Sequence, residues 1–203
     1  VARDVQRLTG LSDDRVTTLY SPVVGPDIAR RAAEPVDHPW ATDARVPLIL
    51  AAGRLSIQKD YPTLIRAFAR VRAERAAHLV ILGEGRQRER LERLVSELGL
   101  GVDVALPGRV DNPFAWMSKA SVFVLSSAWE GLPGVVIEAI ACGCPVVSTD
   151  CPAGPREILE DGKLGPLVPV HDDRALATAI LSVLDHPRDR AKLLARAERF
   201  RID

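Results

Sequence analysis

From Pro47 onward the sequence alternates between short, continuously apolar runs and amphipathic stretches with helical spacing, and nothing else in it restricts the fold as much. The runs fall at 47–52, 78–82, 102–106, 121–125, 145–148 and 166–169. Several are apolar on successive residues rather than on alternate ones, so they are expected to be strands covered on both faces. Between the first two, Leu64, Ile65, Phe68 and Val71 recur at the spacing of one helix face; between the next two, Leu91, Leu94, Val95 and Leu98 do the same. Gly99 and Gly101 are expected to end that second helix. Strand–helix alternation with short connections predicts an α/β fold, a doubly wound Rossmann-like parallel sheet with right-handed crossovers. Ligands of such sheets bind outside the carboxyl ends of the strands. Gly53-Arg54, Gly83-Glu84-Gly85, Gly108-Arg109 and Glu130-Gly131 each follow a strand run, so all four are expected on that edge.

The flanks read differently. A short helix over about 2–9 precedes a strand-like stretch at 16–20, and then Pro22, Pro26, Pro35 and Pro39 mark a linker or an irregular wrap. Residues 172–202 read as two charged helices broken at His186-Pro187. The expected division is therefore an inter-domain and linker segment at 1–46, a ligand-binding Rossmann-like domain at 47–186, and a C-terminal helix of the same domain at 187–203. A chain that opens on Val1 is expected to be a fragment or a processed product.

Bulk properties mainly exclude. The 203 residues carry a formal net charge of zero, which gives no reason to expect nucleic acid or an anionic membrane as a partner. No apolar run approaches the ~20 residues that a membrane span needs, and no signal peptide is visible. Cys142, Cys144 and Cys151 match neither a disulfide framework nor a CxxC pair, and Cys142 is expected as a buried small residue on a helix. The histidines at 38, 78, 171 and 186 are scattered, so no metal site built by this chain alone is expected.

The chemistry concentrates in the stretch from Trp129 to Gly143, which holds two glutamates, Glu130 and Glu138. Pro133 suits the first turn of a helix, where its missing N–H costs nothing. Glu130 then lies in the loop before the helix, and Glu138 projects from its second turn, roughly 7–8 Å further along at about 1.5 Å per residue. Between them the backbone N–H groups of residues 131–135 are free to meet an anion. This is a cradle for a ligand with hydroxyls at both ends and negative charge in the middle, as in a nucleotide-sugar. The loop Gly53-Arg54-Leu55-Ser56-Ile57-Gln58-Lys59 adds a guanidinium and one of only four lysines in the chain. It reads equally as a phosphate-binding element and as a solvated surface loop. Gly83-Glu84-Gly85 begins a GxGxxG pattern, but its third position is Arg88, leaving only close backbone approach as the firm reading. Leu106-Pro107-Gly108-Arg109-Val110 offers backbone for a flat base edge, although a plain turn is the simpler reading of those residues alone. Gly154-Pro155-Arg156-Glu157 reads more readily as a helix start than as a cleft group.

Taken in order, Gly53-Arg54 with Lys59, Gly83-Glu84-Gly85, Gly108-Arg109-Val110, Glu130 and Glu138 eight residues apart, and Ala141-x-Gly143-x-Pro145-Val146-Val147 resemble the C-terminal half of GT-B retaining glycosyltransferases of family 4, the group 1 glycosyl transferases. The resemblance covers about residues 15–200. The double-glutamate segment with its Gly-x-Pro-Val-Val tail carries most of its specificity. Ser21-Pro22-Val23 and Asp27 resemble the family's inter-domain segment, with Ser21 in place of Asn.

The resemblance implies a donor-binding half that takes a nucleotide-diphosphate-sugar as substrate, needs no cofactor or metal, and transfers the sugar, as a hexosyltransferase, to an acceptor hydroxyl with retention. Arg54 and Lys59 would bind the diphosphate and stabilise the leaving group; Glu130 would hold the transferred sugar and Glu138 the ribose. Gly53, with the backbone of Gly131, Leu132, Pro133, Gly134 and Val135, would line sugar and phosphate, and Arg109 and Val110 would hold the base through main-chain groups. On this reading neither glutamate acts as nucleophile or general acid. The family often has Lys-Gly where this chain has Lys59-Asp60, and Asp60 is expected to cap the helix that starts near Tyr61. The resemblance also implies an N-terminal acceptor-binding domain, absent here, through which alone membrane contact would occur, a cytoplasmic location, and little or no turnover by the fragment. Two other readings compete: a sugar-nucleotide epimerase of GT-B fold, and a non-catalytic domain that binds a nucleotide or a protein partner.

Overall fold

The computed structural model describes residues 2–17, 22–43, 45–186 and 189–202. Six strands, β1 (Leu48–Ala52), β2 (His78–Leu82), β3 (Val104–Gly108), β4 (Val122–Leu125), β5 (Val146–Thr149) and β6 (Leu167–Val168), form one parallel sheet in the order β3-β2-β1-β4-β5-β6. In chain order the helices are α1 (Ala2–Thr9), α2 (Ile28–Ala32), α3 (Pro39–Thr42), α4 (Tyr61–Glu74), α5 (Arg88–Glu97), α6 (Pro113–Lys119), α7 (Gly134–Ala141), α8 (Pro155–Ile158), α9 (Asp173–Asp185) and α10 (Arg190–Ala197).

The apolar runs are explained by two cores, one on each face of the sheet. Leu48, Leu50, Val80, Leu82, Phe123 and Leu125 point to one face and pack with α6, α7 and α10. Ile49, Ala51, Leu79, Ile81, Val122 and Val124 point to the other and pack with α4, α5 and α9. Fully burying one such large aliphatic side chain contributes about 1.5–3 kcal/mol, so a run apolar on both faces strongly favours the central position that β1 occupies. The predicted stripe Leu64, Ile65, Phe68, Val71 is the buried face of α4.

The differences from the sequence reading have local causes. The third strand spans 104–108 rather than 102–106: Val102 and Asp103 lie in the turn after α5, and Pro107 is tolerated because β3 is an edge strand whose outer N–H groups bond no neighbour. Helix α6 had no counterpart among the expected elements. Its seven residues are too short to display a stripe, and it is fixed by Pro113 in its first turn and by Asn112, whose side-chain oxygen accepts from the Ala115 N–H at 3.3 Å. The strand expected at 16–20 falls, from Thr18 on, outside the described residues, as does Ser21; Val16 and Thr17 are not in a strand. Asp60 occupies the N-cap position of α4, but its side chain makes no capping bond to a backbone N–H. Its backbone is left-handed (φ 43°, ψ 45°), and Oδ2 accepts from the side-chain hydroxyl of Thr63 in the helix's first turn, at 2.7 Å, rather than from a backbone N–H.

The proline-bearing stretch is tied to the domain. Val24 and Ile28 join the first core, and Val23 and Val24 donate backbone hydrogen bonds to the Phe200 carbonyl, both at 2.9 Å.

Candidate functional site

Strand order reverses between β1 and β4, since the chain winds outward to β3 from one side of that pair and to β6 from the other. At such a switch point the loops leaving the two strands diverge and open a crevice at their carboxyl ends. A cavity of about 330 Å³ lies there. Ala52, Gly53 and Lys59 line it from the β1 side, Glu130, Leu132, Pro133, Gly134, Val135 and Glu138 from the β4 side, and Pro113 and Met117 from α6.

Helix α7 starts at Gly134, one residue after the expected start, with Pro133 at its N-cap. The first-turn N–H groups of a helix have no intrahelical partner, so Gly134 and Val135 present donors and the positive end of the helix dipole to the cavity. Glu138, one turn on, is held in the same wall. Burial raises its carboxyl pKa above the usual value, with the Arg31 guanidinium opposing that shift. No hydrogen bond or ion pair satisfies this carboxylate among the described residues.

Glu130 is differently placed. Lys59 Nζ is 2.6 Å from Glu130 Oε1, and the two side chains are only 15% and 9% exposed. The same oxygen accepts from the Ser127 hydroxyl at 2.7 Å, and Gln58 Nε2 approaches Oε2 at 3.4 Å. The loop carrying Lys59 is bound to the segment after β4 at three further points. Ser126 Oγ donates to the Lys59 carbonyl at 2.7 Å, the Ala128 N–H to the Gln58 carbonyl at 2.8 Å, and Gln58 Nε2 to the Trp129 carbonyl at 2.9 Å. Two groups that the family resemblance implies for separate parts of a ligand are thus joined to each other at the cavity wall. Tyr61 lies beneath them: its hydroxyl is buried without a hydrogen-bond partner among the described residues, and a Cβ added at Gly53 would stand 3.1 Å from it and 3.0 Å from Lys59 Cε. Burial, reinforced by the Glu130 charge, raises the phenol's pKa.

Not every residue singled out in the sequence reaches the cavity. Gly53, Lys59, Glu130, Leu132, Pro133, Gly134, Val135 and Glu138 line it together. Arg54 is exposed on the same edge, one residue beyond Gly53, and is not part of the wall. Gly131 stands behind Pro133, where a Cβ on Gly154 would meet the Gly131 carbonyl at 2.5 Å. Arg109 is exposed after β3, and Val110 packs on the first core. Gly83 and Gly85 do allow close backbone approach, but to the neighbouring loop: a Cβ on Gly83 (φ +135°) would stand 2.0 Å from the Gly53 carbonyl oxygen, and one on Gly85 2.3 Å from that of Leu55. Gly154-Pro155 starts α8, and Arg156 is paired with Asp150.

Sequence reasoning missed Ala52, Pro113 and Met117 in the wall, and Gln58 and Ser127 behind it. The Asn112-Pro113 pair was a legible helix-start signal; Gln58 and Ser127 carry no signal beyond proximity to Lys59 and Glu130. A larger cavity of about 550 Å³ lies at the opposite, amino edge of the sheet beside Trp40, Leu48 and Ser121. Ser118 and Ser121 there are committed to backbone partners, and Asp43 is paired with Arg45.

A doubly wound parallel sheet with a cavity at its switch point is the architecture of a Rossmann-like ligand-binding domain, the fold of each half of a GT-B protein. Comparison with known proteins takes this further: residues 46–186 match the family described as Glycosyl transferases group 1, and the chain belongs to that family. It is 34% identical over 182 residues to an N-acetylgalactosaminyltransferase of Campylobacter jejuni that acts on a diphospho-undecaprenol-linked saccharide, a match that covers 90% of this chain and 48% of that protein. Among solved structures, the lipopolysaccharide outer core galactosyltransferase WaaB superposes with a TM-score of 0.80 at 24% identity, over 98% of this chain and 55% of WaaB. The pneumococcal O-GlcNAc transferase GtfA, determined with UDP and GlcNAc, superposes with a TM-score of 0.70 at 24% identity, over 78% of this chain and 34% of GtfA. The chain spans about half the length, or less, of the curated relatives it matches first. Among the described residues no helix is long and apolar enough to cross a membrane, and no three His, Cys, Asp or Glu side chains are grouped to hold a metal ion.

Proposed function

We propose that this chain is the C-terminal, donor-binding half of a retaining, metal-independent glycosyltransferase of family 4 that takes a nucleotide-diphosphate-sugar. The observation that carries the reading is the joint placement of Lys59, Glu130, Glu138 and the α7 N-terminus around one cavity at the switch point. Glu138, a carboxylate without a partner, takes the ribose hydroxyls. The Gly134 and Val135 N–H groups and Lys59 take the diphosphate, with Arg54 closing over it from the exposed edge. Glu130 takes the hydroxyls of the transferred sugar. Arg109 and Val110 meet the base by their main chain. UDP is the first nucleotide to test, because UDP is bound in the GtfA structure.

In transfer the bond between the anomeric carbon and the diphosphate oxygen breaks, the acceptor oxygen bonds to the same face of that carbon, and the departing phosphate takes the acceptor's proton. Charge on the diphosphate grows as the bond breaks, so a lysine and a helix N-terminus fixed beside it stabilise the transition state more than the ground state. An N-terminal domain supplies the acceptor and closes the cleft, and the enzyme works in the cytoplasm.

Calorimetric titration of this chain with UDP, GDP and ADP tests the binding step. At least one should bind, and binding should weaken in Glu138→Ala; a folded chain that binds none of them contradicts the proposal. In the full-length protein, Lys59→Ala and Glu130→Gln should each reduce turnover by about 10²-fold or more, the range for removing one transition-state contact. Turnover unchanged in both variants would sink the catalytic part.

A further inference from the structure

We propose that Asp60 and His171 form a clamp that sets the position of Lys59, making both of them positioning residues for the diphosphate site. The inference rests on the donor-binding reading above.

Both residues have left-handed backbones, φ 43° at Asp60 and φ 61° at His171, a conformation in which a side chain is strained and glycine is favoured. They are 111 residues apart in sequence, yet His171 Nδ1 lies 2.7 Å from Asp60 Oδ2. A carboxylate oxygen only accepts, so Nδ1 carries the hydrogen. Asp and His enter this region more readily than most side chains, and here each uses its side chain to reach the other; glycine at 171 would lose that bond alone, and glycine at 60 the bond to the Thr63 hydroxyl as well.

What the bond holds is the turn bearing Lys59. Residues Ile57–Lys59 form a single 3₁₀ turn that ends at Asp60, with the Lys59 and Asp60 N–H groups each donating at 3.2 Å to the Ser56 and Ile57 carbonyls. One flank of this turn is fastened to the segment after β4 through Ser126 and Ala128. The other runs into α4, where the Asp60 carbonyl accepts from the Thr63 N–H at 3.0 Å and its carboxylate from the Thr63 hydroxyl at 2.7 Å, and the same carboxylate reaches across to His171 in the turn between β6 and α9. With both flanks held, the Lys59 chain is aimed at Glu130 and the cavity. Without His171, the Asp60 end keeps its bonds to α4 but loses its tie to the turn between β6 and α9, and the turn bearing Lys59 loosens on that side.

The test uses Asp60→Gly and His171→Gly, which remove the bond and relieve strain together. In this chain, amide hydrogen exchange at Lys59 and Asp60 should quicken by about tenfold in either variant, the equivalent of one modest hydrogen bond, while the melting temperature holds or rises. The double variant should be no looser than either single one. Asp60→Asn, which keeps an acceptor oxygen and tolerates the left-handed backbone, should retain wild-type exchange. Unchanged exchange in both glycine variants, or additive effects in the double, would overturn the clamp whether or not the chain binds nucleotide. In the full-length protein the donor KM should rise in Asp60→Gly while the acceptor KM stays constant, whereas a purely structural role would lower kcat and leave both KM values alone. Failure of the wild-type protein to use any donor would refute the donor-binding reading and leave the exchange result to judge the clamp.

Discussion

The Lys59–Glu130 pair makes a prediction with opposite signs for stability and for nucleotide binding. With side chains 15% and 9% exposed and nitrogen and oxygen 2.6 Å apart, the pair is in the buried regime. Removing one member of such a pair costs about 3–5 kcal/mol, mostly because the other charge is left without compensation. Here the stranded group in Lys59→Met is Glu130, which keeps the Ser127 hydroxyl and Gln58 on a wall open to solvent. The expected loss is therefore near the lower end, about 3 kcal/mol. For a chain of this size that lowers the melting temperature by roughly 6–12 °C. Adding Glu130→Gln should recover part of the loss, with a coupling of about 2 kcal/mol in a double-mutant cycle measured by urea unfolding. Nucleotide binding should move the other way in Glu130→Gln. On the proposed reading, an incoming diphosphate has to take the ammonium from Glu130 and approach that carboxylate's charge. Removing the charge should tighten binding of a nucleoside diphosphate by at least about 1 kcal/mol, around fivefold, although the same variant is expected to slow transfer in the full-length protein. A Lys59→Met loss below about 1 kcal/mol with additive behaviour, the range of exposed pairs, or weaker nucleotide binding in Glu130→Gln, would show that the two side chains do not compete with the ligand.

Other expectations follow from single residues. Because burial raises the folded-state pKa of Glu138, its contribution to stability is fully present below the ordinary carboxyl value of 4.5 and is lost as the pH rises through the folded-state value. Glu138→Gln should thus melt higher than wild type at neutral pH, lose that advantage on acidification, and bind nucleotide less well; equal melting temperatures at pH 7 would argue against the buried charge. Tyr61→Phe removes a buried hydroxyl that has no partner among the described residues and should leave stability unchanged or raise it by up to about 1 kcal/mol; a clear loss in urea unfolding would mean the hydroxyl is bonded. Burial pushes the Cys142 thiol up to about 12 and raises Cys144 and Cys151 as well, so a thiol reagent at pH 8 should label the native chain slowly and all three sites in denaturant. Rapid native labelling of any of them would count against its burial.

The sheet was legible in the sequence because burial on both faces leaves an apolar mark at every residue of a strand such as 48–52. The carboxyl-edge loops were legible for the same reason, since strand ends locate them. Pairing between loops was not. That Lys59 meets Glu130, or Asp60 meets His171, depends on which strands are neighbours, and the order β1-β4-β5-β6 is written in no local pattern. Conformation at single residues was also hidden: an aspartate before a helix reads as a cap, whereas the left-handed Asp60 bonds the Thr63 hydroxyl and His171 instead of a backbone N–H. Helix α6 was missed because short length erases periodicity, although it supplies part of the cavity wall.

The close contact of the first two loops has a consequence for how this half of the molecule can diversify. The Gly53 N–H bonds the Leu82 carbonyl, the Gly83 N–H bonds the Gly108 carbonyl, and no Cβ fits between Gly83 and the Gly53 carbonyl. Three adjacent strand ends are therefore locked as one unit. An insertion in any of these loops would disturb all three, so new ligand preferences on this side have to be reached by exchanging side chains such as Arg54 and Arg109.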